Sequence, residues 1–244
     1  LKVELIAHTQ LSDKFKNKIK ESIQDYQTTD GQIVSMLHIR NCYSPLHPTD
    51  IIQSESDKYF GKKAKDGEHG NDAERLIRQI VHSGHTSTLE GINFDFSIEG
   101  VSRALLAQIT RHRVGFSFSV KGMRYVKLGS KDKSGGAHFY TPDKINTNQE
   151  ALNTYNKFLE LAQVTYDALR GYGIPQEDAR NVLPQSTLCD IMMSCNLRAL
   201  LDFYSKRQHG KGAQAEIADL AEELRKSVIE VEPWIDQFFE ETKK

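Results

Sequence analysis

The residues best suited to chemistry lie in TRHRVGFSFSVKGMRY, residues 110–125. Arg111, His112, Arg113 and Arg124 stand there beside Thr110, Gly115, Ser117, Ser119 and Gly122. Guanidinium forks bind phosphates bidentately, and small residues let a backbone approach an anion closely. A solvated basic loop has a similar composition, because short basic runs are common on surfaces. The surroundings argue for a ligand: the run ends the apolar pattern VSRALLAQI and leads into VGFSFSV. Charges held against apolar sequence need partners. A second set of arginines lies far down the chain: Arg180 before VLP, Arg198 in CNLRALLDF and Arg207 in YSKRQHG. Arg198 and Asn196 fall in an otherwise apolar stretch, read as a helix, where buried Arg and Asn need partners. No acid run is near them in sequence. Cys42, Cys189 and Cys195 form no CxxC pair and no zinc spacing, so no metal site is expected. In an apolar helix, Cys189 and Cys195 read as small buried hydrophobes.

The totals restrict the partners. Over 244 residues, 32 Lys+Arg face 33 Asp+Glu, for a net charge of −1. No global field selects nucleic acid or an acidic membrane, so anions must be recognised by local arginine clusters. Phe116 and Phe118 interleave with the basic cluster as in proteins that stack bases, but no RNA-binding signature accompanies them. No run approaches the roughly 20 apolar residues of a membrane helix. LKVELIAHTQ lacks a long apolar core and does not read as a secretory signal. Three scattered cysteines fit a reducing, cytoplasmic setting.

These side chains must be positioned by recognisable elements. Residues 3–8 alternate and predict a short first strand, followed by a polar, helical stretch. Residues 33–43 suit a strand or a buried helix, and periodicity does not decide between them. Residues 44–72, with Pro45, Pro48, a lysine-rich patch and three glycines, predict a mobile surface excursion. Asn71 and Asp72 can cap a helix over about 72–83 with Leu76, Ile77, Ile80 and Val81 inward and Gly84 just past its end. Residues 92–98 give the clearest strand, with Ile92, Phe94, Phe96 and Ile98 on one face. Gly100 then opens a helical pattern. Residues 129–150 read as loop. Beyond them the chain reads as nearly all helix. One helix covers 151–170, with Leu152, Tyr155, Phe158, Leu159, Ala162, Tyr166 and Leu169 on one face. Another covers 186–206, with Pro184 near its start, and a third covers 213–231. No repeat or linker divides the chain. The expectation is one α+β domain over 1–244, a mixed or antiparallel sheet packed by a long helical C-terminal half.

The order of these pieces resembles the flavin-dependent thymidylate synthases, the ThyX family. Their hallmark is RHR, seven residues, a serine, then x-R-Y; here RHR stands at 111–113 and RY at 124–125. Further family-like segments are CYSP at 42–45, SGHTSTLE at 83–90, FDFSIEGVSRALLAQITRHR at 94–113, ARNVLP at 179–184, CNLRALLDF at 195–203 and AQAEI at 213–217. The resemblance runs from about residue 33 to 240; residues 46–72 and 129–150 match nothing in it.

The resemblance implies a reductive methylation of dUMP at C5, with FAD as cofactor and NADPH and methylenetetrahydrofolate as co-substrates. It implies FAD binding by His85, Ser87, Arg111, His112, Arg113, Asn196 and Arg198, with Asp202 where an asparagine is common beside the flavin. dUMP would be bound by Gln108, Arg111, Arg124, Arg180 and Arg207, with Lys121 and Gly122 at the motif serine. Arg207 resembles the arginine near the pyrimidine N3, where a fixed cation favours negative charge on the ring. The family needs no cysteine nucleophile, and its members are homotetramers with shared active sites.

Several positions depart from the family pattern. Ten residues separate Arg113 from Arg124 where the pattern has nine. The motif serine therefore falls at Lys121 or Gly122, depending on the end from which one counts, and neither carries a hydroxyl. RQHGKGAQAEI is also one residue longer than usual. Gly212 and Gly91 stand where histidines are common. Three readings follow: neutral drift in loops, a pocket for another pyrimidine nucleotide such as UMP, or a nucleotide-binding protein without the activity.

Overall fold

The structure, a computed structural model, describes residues 1–241. Strict alternation around residues 92–98 drives the organisation: Ile92, Phe94, Phe96 and Ile98 are all fully buried. The elements run β1 Lys2–His8, α1 Asp13–Ile23, α2 Asp30–Tyr43, α3 Ile51–Tyr59, α4 Asp72–His82, β2 Asn93–Ser102, α5 Arg103–Ile109 and β3 Phe116–Val120. They continue with α6 Asp143–Asn146, α7 Gln149–Gly171, α8 Gln176–Ala179, β4 Leu188–Asn196, α9 Leu197–Arg207, α10 Ala215–Ile229 and α11 Asp236–Glu241. The four strands form one antiparallel sheet in the order β1-β2-β4-β3. The α+β expectation holds, and the sheet is antiparallel throughout.

One face of the sheet makes the core. Phe94, Phe96, Ile98 and Val101 of β2 and Cys189, Ile191, Met193 and Cys195 of β4 join one buried cluster with Leu200 and Phe203 of α9 and Ile217, Leu220 and Leu224 of α10. Both cysteines are therefore small buried hydrophobes, as expected, but in a strand.

Four sequence expectations need correction. Residues 186–206 are not one helix: β4 precedes α9, and Pro184 precedes a turn into the strand. Burial alternates along Leu188–Asn196, but Met192 on the open face is itself apolar and hides that alternation in the sequence. Gly100 does not open a helix. The strand runs through it with a register shift between Ile98 and Val101, and the glycine takes φ 70°, as a bulge requires. The helix begins only at Arg103, where the Ser102 hydroxyl accepts the Leu105 N–H at 3.0 Å. Residues 44–72 are no mere excursion, because α3 buries Ile51, Ile52 and Tyr59. Finally, Phe158 lies off the buried stripe of α7, exposed with Leu161 and Val164. For residues 33–43 the helical alternative is correct.

Candidate active site

α5 has only seven residues, and the chain leaves it directly into Arg111-His112-Arg113. The His112 ring packs edge-on against Phe203, 5.0 Å between centroids, and Phe116, 6.1 Å. That burial pulls the imidazole below its ordinary pKa, and the neighbouring Arg207 cation pulls it further. Arg207 Nε donates to His112 Nε2 at 3.1 Å. The accepting nitrogen must be unprotonated, so the neutral ring carries its hydrogen on Nδ1. This contact joins residues 95 positions apart and brings Arg207 of the second arginine set onto the RHR run.

Asn196 underpins the same corner. Its Oδ1 accepts the Ala199 N–H at 2.9 Å and so caps α9. Its own N–H donates to the Gly115 carbonyl at 3.1 Å. Gly115 has φ 74°, and a Cβ there would lie 2.7 Å from both the Ala199 Cβ and the Asn196 Nδ2. Only glycine lets the turn after RHR approach α9 this closely.

The 3-10 turn Thr86–Leu89 packs against α9 and carries Ser87, exposed. Just before it, the His85 Nδ1 lies 3.1 Å from the Tyr43 hydroxyl. Just after it, Glu90 forms an ion pair with Arg198. Asp202 pairs with Lys206 at 2.8 Å and also acts on the His112 ring. Gln108 Nε2 donates to the Ala104 carbonyl at 3.3 Å and to Gln214 Oε1 at 2.7 Å.

A second group lies at the other end of β3. The pairing runs from Phe116↔Cys195 to Val120↔Ile191, so at about 3.4 Å per residue Lys121 stands roughly 17 Å from Phe116. Lys121 pairs with Asp190 at 3.0 Å. Arg124 Nε pairs with Glu177 Oε2 at 3.0 Å, and Arg180 Nε donates to the Glu177 carbonyl at 3.0 Å. A cavity of about 300 Å³ opens beside this group, lined by Lys121, Met123, Leu128, His138, Cys189 and Asp190. Gly122 has room for a side chain: an added Cβ would make only an ordinary 3.5 Å contact with Tyr125.

Two expectations about charge change. Arg124 and Arg198 do have acid partners, Glu177 and Glu90, and Arg198 is exposed rather than buried in an apolar helix. Those acids are distant in sequence, so inspection of neighbours could not reveal them. Arg111, Arg113, Arg180 and Arg207 make no ion pair among the described residues. Sequence reasoning missed Phe203, Gln214 and Glu90, whose roles depend entirely on tertiary contacts.

The donor set suits an anionic cofactor. Arg111 and Arg113 project into solvent and make no ion pair among the described residues, beside a turn that Gly115 lets pack closely on α9. Among the described residues, no cluster of three or more His, Cys, Asp or Glu could hold a metal ion.

Known proteins share this sequence and fold. The family model described as "Thymidylate synthase complementing protein" (Thy1) matches residues 8–234. A flavin-dependent thymidylate synthase of Geobacter sulfurreducens is 33% identical over 208 residues, covering 85% of this chain and 82% of that protein. One from Haloarcula marismortui is 34% identical over 191 residues, covering 70% and 76%. Among solved structures, the thymidylate synthase ThyX of Helicobacter pylori with FAD and dUMP superposes with a TM-score of 0.65 at 22% identity over the whole of both chains. The UMP/dUMP methylase PolB of Streptomyces cacaoi bound with 5-Br dUMP gives 0.66 at 22% identity, covering 98% and 93%. At that identity the two structures speak for the fold. The chain belongs to the Thy1 family, that of the flavin-dependent thymidylate synthases.

Proposed function

We infer that this chain is a flavin-dependent thymidylate synthase, methylating dUMP at C5 to give dTMP. The observation that carries the reading is the Arg207–His112 contact, which brings the end of α9 onto the Arg111-His112-Arg113 run. FAD, when bound and reduced by NADPH, supplies the hydride, and methylenetetrahydrofolate supplies the carbon. The residues themselves bind, orient and polarise. Arg111 and Arg113 hold phosphate-bearing ligands through charge-assisted bonds, with His85, Ser87, Asn196, Arg198 and Asp202 as the further flavin contacts that the family pattern assigns. Gln108, Lys121, Gly122, Arg124 and Arg180 serve the nucleotide.

Arg207 is the residue on which catalysis depends. Its Nε is committed to His112, which orients the guanidinium and leaves its Nη groups for the pyrimidine. A fixed cation there stabilises charge that grows on the ring in the transition state, at no cost in reorganisation. A neutral His112 is what this arrangement needs, because an imidazolium could not accept from Arg207 and would repel it.

The working unit we propose is a homotetramer with shared sites. Two observations support it: the nucleotide residues divide between two ends of β3, and α7 exposes Phe158, Leu161 and Val164. Light scattering should give about four times the 27.7 kDa chain mass. A monomer that still binds FAD and dUMP would overturn this assembly. The setting we propose is the cytoplasm, which the three free cysteines support. No helix among the described residues is long and apolar enough to cross a membrane.

The test of the function is Arg207→Lys. Lysine keeps the charge but loses the planar fork and the Nε–His112 bond. Turnover with dUMP should fall at least about 10²-fold, as for loss of one oriented donor, with FAD content near normal. Full activity would remove Arg207 from the chemistry.

A further inference from the structure

AQAEI, residues 213–217, opens α10 and takes no direct part in the chemistry above. Its two polar side chains both reach α5. The buried Glu216 carboxylate accepts from the Ser102 N–H at 2.7 Å and the Ser102 hydroxyl at 2.6 Å. That hydroxyl is the N-cap of α5. Two residues earlier, Gln214 Oε1 accepts from Gln108 Nε2 at 2.7 Å, in the last turn of the same helix. α5 is thus held at both ends by the first turn of α10.

The need for such a clamp follows from length. A helix of seven residues is far below the roughly 12–15 at which helices hold themselves in water. Yet α5 must present Gln108, Arg111 and His112 in fixed register. The circuit closes through Arg207: α9 ends there, residues 208–213 lead to Gln214, Gln214 grips α5, and His112 beyond α5 returns to Arg207. Gly210 and Gly212, at φ 84° and 76°, let that short connection turn.

We propose that Gln214 is a positioning residue for nucleotide binding, fixing the Gln108 carboxamide and, with Glu216, the register of α5. Both hydrogens of the Gln108 amide are engaged, by Ala104 and Gln214, so its Oε1 is the atom turned to the ligand. That oxygen selects a hydrogen-bond donor on the nucleotide. The inference rests on the reading that Gln108 contacts the nucleotide.

Gln214 is exposed and makes no capping bond of its own, so Gln214→Met should leave the melting temperature and FAD content unchanged. Its KM for dUMP should rise about three- to tenfold while kcat stays within about twofold, as for loss of one positioning hydrogen bond. The control is Gln108→Ala alone and combined with Gln214→Met. Gln108→Ala should raise KM by at least as much, and the second substitution should then add nothing. A KM raised by Gln108→Ala but unmoved by Gln214→Met would overturn the positioning role and spare the site. Unchanged KM in Gln108→Ala would overturn both. Additive effects would show that Gln214 acts on something other than Gln108.

Discussion

Replacing Gly115 by alanine tests whether the turn after RHR and the cap of α9 form one unit. Gly115 holds φ 74°, where an L side chain is strained by roughly 1–2 kcal/mol. The new methyl would also sit 2.7 Å from the Ala199 Cβ and the Asn196 Nδ2 and 3.0 Å from the Asn196 Oδ1. None of these is the far end of a long, flexible side chain. Ala199 is fixed in α9, and moving Asn196 breaks its 2.9 Å bond to the Ala199 N–H. Overpacking of this kind costs about 1–3 kcal/mol, and a lost cap about 1 kcal/mol. The terms share one displacement, so about 2–4 kcal/mol in all is expected. For a chain of this size that lowers Tm by roughly 5–15 °C. Calorimetry or circular dichroism melts measure it, and flavin absorbance after gel filtration reports the site. FAD retention should fall with the melt, because Asn196 and RHR move together. An alanine variant melting within a degree of the parent, with its flavin retained, would refute the reasoning.

Other outcomes follow from the same geometry. Arg113→Ala should weaken FAD binding about ten- to a hundredfold, from a charge-assisted bond of about 1.5–3 kcal/mol, with stability unchanged; equal affinity by titration would remove Arg113 from the cofactor. His112 has its pKa lowered by burial first and Arg207 second, so the unfolded chain protonates before the folded one. Stability due to this group is complete above about pH 6.5 and is lost as pH falls from there toward the lower folded value; denaturant titrations should show His112→Gln flattening that acid-side slope, and an identical slope would contradict the shift. Cys42 is exposed, whereas burial holds the thiols of Cys189 and Cys195 above their ordinary range. An aromatic disulfide reagent should therefore label one thiol promptly in the native protein and the other two only after unfolding; prompt labelling of all three would contradict the core.

Local signals carry much of the fold. The alternation of Ile92, Phe94, Phe96 and Ile98 and the Asn71 cap of α4 need no tertiary knowledge, and both stand in the structure. β4 is hidden because Leu188 and Met192 share its open face with Asp190, Ser194 and Asn196, and the apolar run they complete also suits a buried helix. β3 is hidden because Phe116, Ser117, Phe118 and Ser119 sit inside a basic, glycine-bearing stretch whose chemistry suggests a loop. At the site, the arginines are legible as types and their sequence order as a family pattern. Their partners are not. Glu90 meets Arg198 across 108 positions and Gln214 meets Gln108 across 106, and no local rule reaches so far.

The extra residue between Arg113 and Arg124, placed near Phe116, leaves Lys121 and Gly122 free to accommodate a nucleotide in physical terms. The Lys121–Asp190 pair is about half exposed, so it contributes little to stability and can yield to a ligand. Gly122 has room for a serine without strain, since its Cβ would make only ordinary contact.

The most direct test of the central claim is release of tritium from [5-³H]dUMP by the FAD-loaded protein with methylenetetrahydrofolate and NADPH, with labelled UMP in parallel. The account predicts release from dUMP that depends on FAD, is matched by dTMP formation, and is lost in Arg207→Lys. No release from dUMP by a folded, flavin-replete protein, or release from UMP alone, would contradict it.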